Sequence, residues 1–99
     1  MNKYAGLTDA EINKKVAEKL GLAYEVTRYG VVTRMSNKEQ WREFNPCNNV
    51  EQAWEIMLKY NIHVTNYGDR FEAYSNRWVD DRCSHKKPLV AAMLCFLEL

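Results

Sequence analysis

The chain lacks most of the features that betray a function directly. No apolar run approaches the roughly 18 residues that span a bilayer, so no membrane segment is expected. The opening Met-Asn-Lys-Tyr-Ala-Gly has no apolar signal-peptide core, which makes the cytoplasm the expected compartment. Neither sign of charge is in excess, since 14 Lys+Arg against 13 Asp+Glu leave a formal charge of +1. Such a chain is not basic enough to bind a duplex through charge alone, nor acidic enough to mimic one. The four glycines (Gly6, Gly21, Gly30 and Gly68) are scattered, so there is no phosphate-cradling loop. Repeats and low-complexity tracts are absent.

Paired cysteines are missing too. Cys47, Cys83 and Cys95 are odd in number and unequally spaced, a poor disulfide framework, and a cytoplasmic chain keeps its thiols reduced. Cys95 lies in an apolar run, where a thiol acts as a small buried group. His63 and Cys47 can join Cys83 and His85 only as a set without the C-x₂₋₄-C spacing of zinc sites. Cys83-x-His85 brings nucleophile and base types close in sequence, but neighbours at i, i+2 need not face one another. It reads as a surface thiol beside a surface imidazole. Asp80-Asp81 near His85 reads as a solvated turn. The expectation is a protein without catalytic residues, metal or cofactor.

At 99 residues the chain has the length of one domain, 1–99. Thr8-Asp-Ala-Glu11 has capping-box spacing, and Leu7 and Ile12 flank it as a hydrophobic staple. Ile12, Val16, Ala17 and Leu20 repeat on one helical face, with Asn13, Lys14, Lys15, Glu18 and Lys19 opposite, until Gly21 stops the helix. From Tyr24 to Met35 the residues are β-branched and aromatic, giving either a hairpin about Tyr29-Gly30 or one strand bent at Gly30. Ser36 to Phe44 reads as a loop or a single helical turn around Trp41. Whether all of Tyr24–Phe44 is ordered stays open at this point.

Asn49 is a good N-cap for a second helix, with Gln52 in the reciprocal position and Asn61 as its stop. Val50, Ala53, Trp54, Met57 and Leu58 form the expected core stripe, which places Trp54 inside. Ile62–Tyr67 and Arg70–Ser75 alternate about Gly68-Asp69 as a hairpin, and Arg77-Trp-Val79 extends the sheet. Asp80 to Lys87 reads as a polar connector. Pro88 then opens a last helix, Leu89 to Leu97, whose apolar stripe is too broad for much exposure. The fold class is α+β: a small antiparallel sheet of three to five strands with three helices packed on it.

Three blocks resemble a known family. Leu7-Thr-Asp-Ala-Glu-Ile-Asn-Lys-Lys-Val-Ala-Glu-Lys-Leu-Gly-Leu looks like the start of the NinX-like proteins of lambdoid bacteriophages. Asn45-Pro-Cys-Asn-Asn, followed by Ala53-Trp54 and Ile56, resembles that family's second block. Pro88-Leu-Val-Ala-Ala-Met resembles its closing helix. Glu55 stands where the family usually has proline, and Val90 where it has arginine. The resemblance implies an α-β-α sandwich and a small accessory protein of phage or prophage origin, made in the bacterial host cytoplasm. It carries over no functional residue.

Three Trp and six Tyr are more than one small core must hold, and Tyr, Trp and Arg favour interface hot spots. The expected partner-contact residues are Trp41, Arg70, Tyr74, Arg77 and Trp78. Together with the resemblance, they point to a non-enzymatic phage protein that binds a bacterial host protein and acts by steric occlusion, on a defence system or a host enzyme. The alternative is a nucleic-acid-binding accessory protein that uses an arginine and aromatic sheet face. A homodimer through a short edge strand is a further expectation, and no membrane partner is expected.

Overall fold

In the computed structural model the description covers residues 4, 6–75 and 78–99, with the side chains of 78–81 left aside. Helix α1 (Asp9–Leu20) starts where the capping box predicts. Glu11 N–H donates to Thr8 Oγ1 at 3.2 Å, and Thr8 N–H donates to Glu11 Oε1 at 3.1 Å. Gly21 ends it at φ 75°, a left-handed conformation that costs a side-chain-free residue little. Strands β1 (Ala23–Thr27) and β2 (Gly30–Arg34) form the hairpin rather than the bent strand, with Arg28-Tyr29 as a two-residue turn. Thr27 Oγ1 accepts from Tyr29 N–H at 3.1 Å and steadies that turn.

The expected loop from Ser36 to Phe44 is corrected at its end. Arg42 and Glu43 pair with Thr33 and Val32 as a short β3 (Arg42–Glu43), and Phe44 turns into the core. Phe44 N–H donates to the Val31 carbonyl at 2.9 Å, which continues the ladder by one bond. Two residues of pairing are too few to leave an alternating pattern in sequence.

Helix α2 (Val50–Tyr60) has its N-cap at Asn49, whose Oδ1 accepts from Gln52 N–H at 3.1 Å. Gln52 does not close the reciprocal bond. Its Oε1 accepts from Asn45 N–H at 2.7 Å and its Nε2 donates to the Glu43 carbonyl at 2.8 Å, fastening α2 to the segment before it. Asn61 ends α2 at φ 56°. Strands β4 (Ile62–Asn66) and β5 (Phe71–Ser75) follow as the expected hairpin.

The connector expected at 80–87 is a second correction. Strand β6 (Trp78–His85) pairs with β5, setting Ala73 opposite Cys83 and Phe71 opposite His85. Within 82–85 the side chains alternate: Arg82 and Ser84 are exposed, while Cys83 is buried at 3% exposure and His85 is half-buried. The thiol expected at the surface is therefore a core group. Helix α3 (Pro88–Glu98) opens with Pro88 in its first turn, as read from the sequence.

Three helices and antiparallel strands make this an α+β fold, and the strands divide between sheets β1-β2-β3 and β4-β5-β6. Helix α3 packs on all three strands of the second sheet and on α1 and α2, while α1 packs on β1 and β2. That central position buries every residue from Val90 to Leu97, as the breadth of its apolar stripe requires. Lys19, in the last turn of α1, donates its ammonium to the Phe96 carbonyl at 2.9 Å and so supplies the cation that the last turn of α3 lacks.

Two further expectations are corrected. Asn13, placed on the solvent face of α1, is buried at 4% exposure. Trp54, placed in the core, is 55% exposed. The inner face of α2 is Ala53 and Ile56, with Met57 and Tyr60 packed against the core beside them.

Candidate functional site

A polar junction ties the start of α1 to the entrance of α3. Lys87 Nζ meets Asp9 Oδ2 at 2.6 Å and donates to Asn48 Oδ1 at 3.0 Å. Asn48 Nδ2 donates to Asp9 Oδ2 and to Asn45 Oδ1, and Asn45 Oδ1 also accepts from Asn13 Nδ2 at 2.8 Å. Partial burial works to raise the Asp9 carboxyl, but hydrogen bonds from Lys87 and Asn48 and the nearby cationic charge leave it below its ordinary value. A carboxyl lowered on folding stabilises the native state above its unfolded pKa, and that contribution is lost as the pH falls through the folded value. Asp9→Asn is therefore expected to cost less than about 1 kcal/mol at neutral pH, since the pair is partly exposed. The gap between variant and parent should close in thermal melts taken below the carboxylate range. A gap that persists in acid would remove the ion pair as its cause.

Beside this junction, burial and the Asp9 charge push the Cys47 thiol up to about 12. A thiol so placed holds almost no thiolate at neutral pH and is no nucleophile there. Cys83 and His85 both turn towards the core, and His85 Nδ1 accepts from Lys87 N–H at 2.9 Å. Among the described residues no three His, Cys, Asp or Glu side chains gather as metal ligands, and no helix is long and apolar enough to cross a membrane.

The outer face of the second sheet carries aromatic and charged groups in register. Tyr74 lies opposite His63, with ring centroids 5.3 Å apart, and the Arg82 guanidinium covers the Tyr74 ring at 4.4 Å. One turn away Arg70 covers Tyr67 at 4.8 Å. Glu72 joins the two rows, meeting Arg70 at 3.2 Å and Arg82 at 3.6 Å, and Asp69 also meets Arg70. Among the described residues, both guanidiniums on this face are thus committed to carboxylates of the chain itself.

Helix α2 adjoins this face. Val50, Trp54 and Leu58 follow at four-residue steps along one side of it, exposed by 66%, 55% and 61%. Between that crest and β4 runs an open groove of about 520 Å³, lined by Trp54, Met57, Leu58, His63, Val64 and Tyr74 among others. A fully desolvated contact for three large apolar side chains is available on one rigid element.

The sequence profile of the family described as Bacteriophage P22, NinX matches residues 3–98. The chain belongs to that family. No curated protein matches it. In this NinX-family chain, the matched span contains the polar junction, the sheet face and the α2 crest alike.

Of the residues expected to make partner contacts, the fold brings Tyr74 to the groove and Arg70 to the same sheet face. Trp41 is elsewhere: it is half-buried by the first sheet with the Arg34 guanidinium 4.4 Å from its ring. Arg77 and the Trp78 side chain lie outside the described residues. Sequence reasoning missed Val50, Trp54 and Leu58 as surface groups. Their spacing held the signal, because α2 carries two apolar stripes, 50/54/58 and 53/56/57/60, and one core face cannot take both.

Proposed function

We propose that this NinX-family protein is a non-enzymatic accessory protein that binds a bacterial host protein and acts by covering that protein's working surface, in a defence system or a host enzyme. The observation that carries the reading is the exposed Val50-Trp54-Leu58 crest beside its groove. Large apolar groups more than half exposed in a row on a helix contribute little to this chain's own core. A centrally placed tryptophan is the residue type most often found to dominate a protein interface. The arginine-aromatic sheet face supports nucleic-acid binding less well, because Arg70 and Arg82 already pair with Glu72 and have little charge left for phosphates.

The test is affinity capture from nuclease-treated host lysate, followed by mass spectrometry. One dominant protein is expected to survive nuclease and 200 mM salt. Trp54→Ala should weaken its capture at least tenfold, the effect of losing about 1.4 kcal/mol or more at a hot spot. The same variant should change folding stability by less than about 1 kcal/mol, because the side chain is more than half exposed. Loss of every partner on nuclease treatment, or capture indifferent to Trp54→Ala, would defeat the reading.

A further inference from the structure

The charges bordering the crest narrow the kind of partner, on the premise that the crest is the binding face. Glu51 and Glu55 each follow a crest residue by one position, as Lys59 follows Leu58, so at 100° per residue the two glutamates line its solvent-facing edge with Lys59 at one end. Neither forms an ion pair among the described residues. Lys59, the i+4 neighbour that would commonly pair with Glu55, instead holds its ammonium 5.6 Å from the Tyr60 ring centroid. The apolar row is therefore bordered on its outer side by two open carboxylates, with the Lys59 ammonium beyond them at the Leu58 end, a net charge of −1 along that edge. On its inner side it meets the groove and the His63–Tyr74 stack.

A second copy of the chain fits this surface badly. Two antiparallel α2 crests paired across a two-fold axis turn the same flank towards the same flank, which leaves Glu55 beside its own copy and only Glu51 within reach of the copy's Lys59. Like charges facing across an interface oppose association. The spacing of the crest matches a helix instead. Four-residue steps along α2 form a ridge at the pitch that another helix's grooves accept, and the eleven residues of α2 extend about 16 Å. We propose that the crest and groove take an amphipathic helix of the partner protein, about three turns long, whose apolar stripe covers Val50, Trp54 and Leu58 and whose lysine- or arginine-bearing flank meets Glu51 and Glu55. The partner helix lies in the groove with its other edge against His63 and Tyr74.

The experiment titrates the isotope-labelled full chain with two model helical peptides of about 14 residues. They share one leucine stripe and differ only in a lysine or a glutamate flank. The leucine-lysine peptide is expected to shift the amide signals of Val50–Leu58 and His63 and to bind about tenfold tighter than the leucine-glutamate peptide, the summed effect of two rim ion pairs. The double variant Glu51→Lys/Glu55→Lys should invert that preference, with its far-UV circular dichroism unchanged. Trp54→Ala should weaken both peptides. Equal binding of the two peptides, an unchanged ranking in the charge-reversed variant, or shifts centred on another surface would overturn the inference. So would shifts along β4 with the peptide remaining extended, the mark of strand addition at that sheet edge. If these fail while Trp54→Ala still releases the captured host protein, the partner-binding reading stands and only the cationic helix falls.

Discussion

Phe96→Ala is expected to lower the unfolding free energy by about 3–5 kcal/mol, the usual cost of emptying an aromatic site in a closed core. Phe96 is 1% exposed, and its ring lies 4.8 Å from that of Tyr60, tilted by 58°. The site has little means of collapse, because α3 packs against all three strands of sheet β4-β5-β6 and against both α1 and α2. Against a total of about 5–15 kcal/mol for a domain of this size, the loss is a large fraction of the whole. Urea unfolding should show a lower midpoint with the slope preserved. A loss below about 1.5 kcal/mol would mean that α3 is not enclosed by the sheet and the other two helices as described.

Asn13→Ala is expected to cost about 2–4 kcal/mol although it removes no large apolar group. Asn13 Oδ1 accepts from the buried Cys47 N–H at 3.2 Å while its Nδ2 donates to Asn45 Oδ1 at 2.8 Å. Truncation leaves the Cys47 amide without that acceptor in a buried site, and an unmade buried hydrogen bond is more costly than a made one is stabilising. Asn13→Asp separates the two roles. It preserves the acceptor but sets a second oxygen against Asn45 Oδ1 and places a charge in the interior, so its penalty should shrink as the pH falls and the carboxyl takes up a proton. Chemical denaturation of both variants, the aspartate at neutral and acidic pH, checks the argument. Near-parental stability of Asn13→Ala would show that water replaces the side chain at little cost.

These two residues mark where the sequence was legible and where it was not. The α3 stripe announced its own burial, because apolar residues on nearly every side leave a helix no solvent face. Helix ends were legible wherever one residue does the work locally, as at Thr8, Gly21, Asn49 and Asn61. Asn13 was not, because periodicity assigns a polar side chain to water unless a distant partner is known, and Asn45 lies 32 positions away. Strand β6 escaped for a related reason. Its polar composition resembles a connector, and only β5 alongside reveals which of its side chains turn inward. Trp54 was misplaced because hydrophobicity was taken as sufficient for burial. The fold turns Ala53, Ile56, Met57 and Tyr60 towards the core, with the Tyr60 ring against Phe96 of α3, and the second apolar stripe is left outside. The α+β class survived these errors because it depends on the kind and order of elements. The candidate site did not, because it depends on which side of one helix faces out.

The two fastenings between α1 and α3, Asp9 to Lys87 and Lys19 to the Phe96 carbonyl, span 78 and 77 positions. On a ribosome adding about 5–20 residues per second, α1 emerges roughly 4–16 s before the helix that completes its surroundings. Throughout that interval Ile12, Val16 and Ala17, all buried in the finished fold, have no α3 to lie against. The nascent chain is thus expected to be a client for chaperones that shield apolar helices, and its solubility in the cell rests on how fast the last helix follows the first.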